Sequence, residues 1–193
     1  WFEQCTRHAP PRYYRSCSPM SVNTLVPTAS FVGHKGSVYA LCQGQLPGEF
    51  LSAGGDGVVV RWQLDAPDQG DALVHVGTPI FSLHLLPTMN LLLIGTGTGR
   101  LVVVDLHTRR EVQVLDAHTK GIFRIVPLST NTLACAGGDG VLSTWTIERS
   151  EEPRLVPARM IPLCEEKLRD IVVSRATDRS IVACGDGRLR MLD

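Results

Sequence analysis

The sequence lacks the features of a membrane-spanning or nucleic-acid-binding protein. No apolar run approaches the roughly 18 residues that a spanning helix needs, and the longest candidate, residues 83–94, is interrupted by Pro87 and Asn90. Lysine plus arginine equals aspartate plus glutamate, at 19 each, so no overall field attracts nucleic acid or anionic lipid. No Asn-x-Ser/Thr glycosylation site occurs. We therefore expect a soluble, cytoplasmic protein that binds neither nucleic acid nor membrane.

Cysteine is present, but without the spacing of a disulfide framework or a zinc site. Three of the six cysteines, Cys42, Cys135 and Cys184, lie in strand-like apolar runs, where a free thiol behaves as a small hydrophobe. Cys5 and Cys17 are twelve residues apart, and no Cys-x-x-Cys pair occurs in the chain. Zinc sites are commonly built from such close pairs. The sequence therefore predicts reduced core cysteines and no metal site.

No stretch shows the period of an amphipathic helix, but the chain contains a longer repeat. The segment Ala-Gly-Gly-Asp-Gly occurs at 53–57 and again at 136–140, and a tryptophan follows each Asp by six residues, at Trp62 and Trp145. Two degenerate copies fit the same phase. The four phase positions are Asp56, Thr98, Asp139 and Asp186. Their spacings of 42, 41 and 47 residues lie in or near the period of about 40–45 that is typical of four-stranded propeller blades.

Short apolar runs between these turns are rich in β-branched residues and bounded by Gly, Pro and Asp, which is typical of strands. We predict an opening strand over Thr24–Val32 and a polar loop over Asp65–Gly70. The other expected strands are 38–41, 49–53 and 58–64; 72–76, 80–86, 91–94 and 101–106; 111–115, 122–126, 132–136 and 141–147; and 155–161, 168–173, 181–184 and 189–192. The predicted fold is all-β, a β-propeller of four-stranded antiparallel blades with about four blades present.

Residues 1–23 differ from the rest of the chain. They contain several prolines and arginines, two adjacent tyrosines and no periodicity, and the first residue is Trp1 rather than methionine. The segment has no apolar central region, which a secretory signal would require. We interpret this segment as a disordered or non-native extension, with a functional basic tail as the alternative, and we expect the repeat domain over residues 24–193.

The repeated residues resemble those of the WD-repeat β-propeller family over residues 24–193. Each repeat of that family has Gly-His before its inner strand, a small polar residue in the next strand, an Asp in a tight turn, and Trp-Asp at the end of the third strand. The matching residues are Gly33, His34, Ser52, Asp56 and Trp62 in the first repeat, and His118, Asp139 and Trp145 in the third.

The sequence departs from the family pattern at several positions. In the third repeat Cys135 stands near the position of the hydroxyl. The second repeat has Thr98 in place of the turn Asp, and the fourth keeps Asp186 but has Cys164 and Leu192 in place of His and Trp. Two good repeats in phase with two degenerate ones carry the resemblance.

The residue types of the motif have a structural explanation. A histidine, a hydroxyl, an aspartate and a tryptophan N–H can form a chain of hydrogen bonds, which stabilises the fold when every buried group is satisfied. A hydrolase uses the same Ser, His and Asp. We reject that interpretation because the set recurs in each repeat, the serine lies within a strand, and no Gly-x-Ser-x-Gly elbow occurs.

The resemblance also implies a binding surface. In this family, the residue after the first apolar position of the inner strand lies at the rim of the central channel, on the narrower face where partners often bind. The candidate partner-binding residues are Tyr39, Phe81, Phe123 and Arg169, together with Lys35 and Ser37. Aromatic residues and arginine are typical of binding hot spots. The residue before the turn Asp position is always glycine, at Gly55, Gly97, Gly138 and Gly185. We expect these glycines to leave the rings uncovered. In the alternative interpretation, the rings pack between neighbouring blades.

From the resemblance, we expect a non-catalytic scaffold that binds a protein or peptide partner through the top face of the propeller. No cofactor is expected, because the glycine-rich run 95–99 lacks the offset of a dinucleotide site and precedes a strand. The alternatives are a metal-dependent, lactonase-like propeller enzyme and a regulatory or sensory module of a larger protein. We prefer part of a larger ring to a closed four-blade ring completed by Thr24–Val32.

Overall fold

A computed structural model describes residues 26–150, 153–174 and 176–193 of the chain. The described residues divide into two units, residues 26–30 and the described part of residues 31–193. Of the first unit, the described residues 26–30 have no regular secondary structure. Strands dominate the second unit, and the described residues contain no helix long and apolar enough to cross a membrane.

The strands of the second unit pair into antiparallel sheets, which we number as blades in chain order. In blades one and two, each strand pairs with the next strand of the chain. Blade one consists of β1 (Val38–Gln43), β2 (Glu49–Gly54), β3 (Val58–Gln63) and β4 (Ala66–His75). Blade two consists of β5 (Ile80–Leu86), β6 (Leu91–Thr96), β7 (Arg100–Asp105) and β8 (Arg110–Asp116), with a 3₁₀ turn at Pro87–Met89.

Blades three and four continue the same antiparallel order. Blade three consists of β9 (Ile122–Pro127), β10 (Thr132–Gly137), β11 (Val141–Glu148) and β12 (Arg154–Pro162). Blade four has three strands, β13 (Leu168–Ser174), β14 (Arg179–Cys184) and β15 (Leu189–Leu192). The all-β blade architecture predicted from the repeat is thus confirmed.

The Asp-Gly repeats form the tight turns between the second and third strands of the blades. Gly57 and Gly140 have φ of 71° and 80°, a left-handed conformation that glycine adopts without the steric cost of a Cβ. The preceding aspartates accept hydrogen bonds from backbone amides two residues on, at Val58 and Val141. The turn chemistry that the sequence indicates therefore sets the hairpins of these two blades.

The core lies between successive blades, and blade two shows why its sequence is almost continuously apolar. Alternate side chains of a strand point to opposite faces of its sheet. Leu92 and Ile94 pack toward blade one, whereas Leu91 and Leu93 pack toward blade three. Both faces of this sheet are therefore covered, and an alternation of polar and apolar residues is not required.

Three expectations about the strands need correction. Thr24–Val32 was expected to form an opening strand, but its described part, residues 26–32, forms none. Asp65–Gly70 was expected to be a loop, but β4 already begins at Ala66 because the chain turns back immediately after β3. The region 155–161, grouped with the fourth repeat, is the outer strand of blade three. The predicted N-terminal extension, residues 1–23, lies outside the described residues.

The four blades do not close into a ring over the described residues. Strands pair only within their own blade, and β13, β14 and β15 have no fourth partner. Completion of the last blade by Thr24–Val32 was therefore wrong for residues 26–32, which pair with no strand. The larger ring stays a prediction.

Candidate functional site

In blade one a chain of hydrogen bonds ties the loop before β1 to the β2–β3 turn. The Trp62 Nε1–H donates to Ser52 Oγ at 2.8 Å, and Ser52 Oγ lies 2.7 Å from His34 Nε2. His34 Nδ1 lies 2.9 Å from Asp56 Oδ2. If neutral His34 carries its proton on Nδ1, each group donates to the next, from Trp62 to Asp56. The polar groups inside this blade are thereby satisfied.

Blade three contains the same chain of hydrogen bonds. His118 Nδ1 lies 3.0 Å from Asp139 Oδ1, and His118 Nε2 lies 2.8 Å from Ser143 Oγ. The Trp145 Nε1–H donates to Ser143 Oγ at 2.8 Å. The two blades therefore share a network of a tryptophan, a serine, a histidine and an aspartate, which we call the turn network.

The serine of the turn network comes from different strands in the two blades. Ser52 belongs to β2 and stands opposite Val60 of β3. In blade three the equivalent pair is Cys135 of β10 and Ser143 of β11. The sequence analysis predicted the hydroxyl position near Cys135 and did not identify Ser143. The signal in the sequence was a serine two residues before Trp145.

The aspartates of the turn network are held in their charged form. Burial disfavours the Asp56 carboxylate, but hydrogen bonds from the Lys35 amide and the His34 ring outweigh burial and lower its pKa. Burial likewise opposes ionisation of Asp139, and the Thr119 amide together with the neighbouring histidine lowers the pKa of this carboxyl. Each aspartate thus anchors the loop before the inner strand to the hairpin turn.

The turn network has the atom order of a catalytic triad, but its serines have almost no surface. Ser52 is 3% exposed and Ser143 is fully buried. Each serine oxygen already accepts the tryptophan N–H. A nucleophile must reach the atom that it attacks. These two serines are therefore not placed for attack on a substrate.

Blades two and four lack the turn network and fill its place differently. In blade two the pair equivalent to Ser52 and Val60 is Ile94 and Val102, both buried and apolar. In blade four the position equivalent to Ser143 is Arg190, whose guanidinium donates to both Asp186 oxygens at 3.1 and 2.6 Å. This contact raises the pKa of Arg190.

The candidate partner-binding residues occupy a special backbone position. The pairing of each inner strand with the next strand skips one residue near its start, so a β-bulge leaves one residue without a ladder partner. The bulge residues are Tyr39 in β1, Phe81 in β5, Phe123 in β9 and Arg169 in β13. We call these four residues the bulge row. Bulges re-aim a side chain away from the regular alternation, which the repeat spacing alone did not reveal.

Side chains of the bulge row contact one another from blade to blade. The rings of Tyr39 and Phe81 meet edge to face with centroids 5.4 Å apart, and those of Phe81 and Phe123 stack at 5.3 Å. The Arg169 guanidinium lies over the Phe123 ring, 5.4 Å from its centroid, within the range of a cation–π contact. The four blades thus present one continuous row of side chains.

The bulge row is accessible to solvent. Tyr39 is 54% exposed, the two phenylalanine side chains are half-buried, and Arg169 is exposed. The four residues line a shallow, open recess of about 400 Å³. The alternative that the rings pack between blades holds in part, since they touch across blade boundaries, yet they remain at the surface.

Glycines lie directly under two of the rings. A Cβ at Gly97 would come within 3.1 Å of the Phe81 ring, and one at Gly138 within 3.0 Å of the Phe123 ring. Gly121, which the sequence analysis did not single out, would place its Cβ 2.8 Å from the Phe81 ring. These glycines therefore support the rings from below rather than simply leaving them uncovered.

The remaining two candidate residues lie differently. The Ser37 amide is near Gly55, the glycine beside the Tyr39 ring, so Ser37 adjoins the bulge row through its backbone. Lys35 lines a separate recess on the outer side of blade one, together with Trp62 and His75. The structure thus brings four of the six candidates together in one recess, Ser37 adjoins them only through its backbone, and Lys35 lies apart from them.

Comparisons with known proteins agree with this geometry. Residues 25–63 match the family described as WD domain, G-beta repeat. The chain is 23% identical over 146 residues to the ubiquitin homeostasis protein lub1 of Schizosaccharomyces pombe, which covers 75% of this chain but only 19% of the relative. The chain therefore spans about a fifth of the length of this curated relative.

Two computationally designed proteins have a similar fold. The crystal structure of Ika4 has a TM-score of 0.65 at 20% identity and covers 84% of this chain and 94% of its own. That of Ika8 has a TM-score of 0.64 at 20% identity and covers 84% of this chain and 47% of its own. At this identity the likeness concerns the fold alone.

Residues 25–63 thus match one WD repeat, and the curated relative and the blade architecture agree with the resemblance of the chain to the WD-repeat family. WD repeats generally mediate protein–protein interaction or scaffolding and are generally not catalytic. The family resemblance seen in the sequence is thereby confirmed.

Proposed function

We propose that this chain is a non-catalytic binding module that holds a segment of a partner protein on the bulge row. The single observation that carries the proposal is that all four inner strands have a bulge at the same position. Each bulge residue contributes to one exposed row. A bulge costs ladder pairing in its blade, and it is commonly found where a side chain must be re-aimed for function.

The chemistry of the bulge row favours an apolar or aromatic side chain in the partner. Solvent-exposed rings at a protein surface gain free energy when a partner removes their apolar area from water, at about 25 cal/mol per Å². Tyr39 also keeps a phenolic O–H that can donate to a backbone carbonyl of the partner. Rigid aromatic side chains lose little rotamer freedom on binding, which makes them effective anchors.

Arg169 adds a preference for an acidic group next to the apolar one. Its guanidinium contacts the Phe123 ring and forms no ion pair with any residue that the structure describes. It is therefore free to pair with a carboxylate, which arginine binds through two parallel hydrogen bonds. The Cβ of Lys120 lies beside Gly138, the glycine that adjoins the Phe123 ring, so a second cationic side chain starts from the same end of the row. We infer an apolar–acidic partner segment.

A larger recess lies along the outer strands β8 and β12 and has a volume of about 770 Å³. Its lining contains no aromatic residue, and its Arg154 is paired with Glu148 at 3.0 Å. Nothing in this recess matches the anchors of a binding hot spot. The bulge row is therefore the better candidate, although its recess is smaller.

The proposal is tested with a displayed library of short random peptides selected against the purified chain. Enriched peptides are expected to carry an aromatic or large aliphatic residue next to Asp or Glu. In fluorescence anisotropy, Tyr39→Ala and Phe123→Ala should each lower the affinity for these peptides at least about tenfold. A hot-spot ring contributes more than about 1.4 kcal/mol of binding free energy. Arg169→Gln should remove the preference for the acidic residue.

Met160→Ala is the matched control, because Met160 is 53% exposed on β12 and lies outside the bulge row. It should leave peptide affinity unchanged. Equal binding by the wild type, Tyr39→Ala and Phe123→Ala would overturn the proposed site. Loss of binding together with loss of the folded state would also count against it, since the rings would then be core residues.

Ubiquitin is a rational protein probe, because the fission yeast relative is named for ubiquitin homeostasis. Titration of isotope-labelled ubiquitin with the chain is expected to perturb ubiquitin resonances, and Phe81→Ala should abolish the perturbation. Binding of ubiquitin that persists in this variant would mean that its site lies outside the bulge row.

A further inference from the structure

A cluster of three potential metal ligands lies in blade four. The Sγ atoms of Cys164 and Cys184 and a carboxylate oxygen of Asp186 all lie within 4.8 Å of one another. Cys164 belongs to the connection between β12 and β13, Cys184 ends β14, and Asp186 lies in the β14–β15 turn. The fold brings the three together from two separate parts of the chain.

This cluster occupies the place of the turn network. His34 precedes Asp56 by 22 residues, and Cys164 precedes Asp186 by the same number. The thiol of Cys164 thus stands where a histidine ring contacts the turn aspartate in blade one. Blade four has no tryptophan at the end of its third strand, where Leu192 stands. The loop before its inner strand is therefore tied to the turn in a different way.

We propose that Cys164, Cys184 and Asp186 bind one zinc ion. Two thiolates and a carboxylate are ligands that zinc accepts in a tetrahedral arrangement. Binding replaces the two thiol protons by one divalent cation, and the protons are released to water. The charge of the cluster is then unchanged, because zinc adds as much positive charge as the two protons carried away.

The geometry is compatible with zinc after a small contraction. Zinc–sulfur bonds of about 2.3 Å in a tetrahedron place two sulfurs roughly 3.8 Å apart, so the cluster must close by about 1 Å at most. Cys164 is only partly buried and the Asp186 side chain is 25% exposed, so these two side chains have room to move toward the buried thiol of Cys184. Solvent can supply a fourth ligand from the same open side.

The ion pair of Asp186 with Arg190 does not prevent ligation. A carboxylate offers about four lone-pair positions. The guanidinium uses one on each oxygen and the Arg188 amide uses a second on Oδ1, so one position remains on Oδ2. The arginine can therefore remain as a hydrogen-bond donor to the ligating carboxylate, an arrangement that orients metal ligands in other proteins. Zinc would clamp the β12–β13 connection to the β14–β15 turn, which goes beyond the proposed binding of a partner.

The test uses the full chain with Cys5→Ser and Cys17→Ser, so that only the thiols of the described residues remain. Isothermal titration with zinc chloride should give one site per chain, and zinc should raise the melting temperature relative to the chelated protein. Cadmium should produce the ultraviolet charge-transfer absorption of cadmium–thiolate bonds. Cys164→Ser should abolish this absorption. Asp186→Asn should lower the affinity for zinc by at least about tenfold.

Cys42→Ser is the matched control, because Cys42 is a partly buried thiol outside the cluster; it should leave zinc binding unchanged. Cys164→Ser is used rather than Cys184→Ser because Cys164 is more exposed than the buried Cys184, so its substitution is less disruptive to folding. Absence of zinc binding in the reduced protein would overturn the proposal. So would zinc binding that survives Cys164→Ser, or a Cys164–Cys184 disulfide in place of a zinc-binding pair.

Discussion

Blades one and three hold the same turn network, yet they take its hydroxyl from opposite strands. Ser52 lies on β2 and faces Val60 on β3, whereas Ser143 lies on β11 and faces Cys135 on β10. Both oxygens accept a tryptophan N–H at 2.8 Å and lie within 2.8 Å of a histidine Nε2. The fold therefore retains the position of the oxygen in space, not its position in the repeat.

The surroundings of the two networks also differ. Trp62 packs against Phe31 and Phe50, with ring centroids at 5.5 and 6.4 Å. Trp145 instead belongs to the apolar core between blades two and three. The same hydrogen bonds are thus buried by an aromatic cluster in one blade and by a neighbouring sheet in the other.

The largest expected effect comes from removing either tryptophan ring. Trp62→Ala and Trp145→Ala should each lower the free energy of unfolding by about 3–5 kcal/mol, because the rings are 2% and 4% exposed. Urea denaturation measures both. Trp62→Phe and Trp145→Phe, which keep an aromatic ring but lose the N–H, should cost less. An unchanged denaturation midpoint in either alanine variant would contradict the structural role.

Deleting a polar member of the network should cost roughly 1–3 kcal/mol, because its partners are left buried without a hydrogen bond. Asp56→Ala and Ser143→Ala are the informative variants, one from each blade. Thr130→Ala is a control of similar size on an exposed turn. Stability equal to that of the control in both variants would show that the networks do not stabilise the fold.

A hydroxyl exchange tests the comparison directly. Ser52→Cys should lower the free energy of unfolding. Adding Val60→Ser should restore about 1 kcal/mol of it, because this pair then has the arrangement of Cys135 and Ser143. A double-mutant cycle by denaturant unfolding gives the coupling. Strictly additive losses would mean that the two positions are not equivalent.

Acid should weaken both networks. The pKa values of Asp56 and Asp139 are lowered in the folded chain. Their stabilisation is therefore fully present above the unfolded value of about 4 and is lost as pH falls through the lower folded values. Melting temperatures between about pH 6 and pH 2 measure this loss. Asp139→Asn should show a shallower decline than the wild type, and an equally steep decline would exclude Asp139 as a contributor.

The smallest expected effect on stability is in the bulge row. Tyr39→Ala should change the free energy of unfolding by about 0.5 kcal/mol or less, since substitutions at exposed positions usually do. Gly121→Ala should cost more, because its Cβ would press on the Phe81 ring at 2.8 Å. Thermal unfolding compares the two. Severe destabilisation by Tyr39→Ala would assign the ring to the core.

Much of the candidate site was visible in the repeat, but its organisation was not. The spacing of Tyr39, Phe81 and Phe123 placed them at equivalent positions of successive blades. The bulge that exposes them depends on which residues of the neighbouring strand they pair with. The sequence of a single strand does not determine that register. Ser143 was missed for a similar reason, because a repeat-by-repeat comparison looks for the hydroxyl at a fixed place in the chain.

The sequence by itself determined the blade period and the hairpin turns, since Asp-Gly turns and short β-branched runs are local properties. Only the tertiary structure decided which strand supplies the hydroxyl, where the inner strands bulge, and that Cys164 meets Cys184 and Asp186. It also decided that residues 26–32 form no strand. These features depend on pairing and packing between distant segments, and a strand-like composition becomes a strand only where a partner offers its hydrogen bonds.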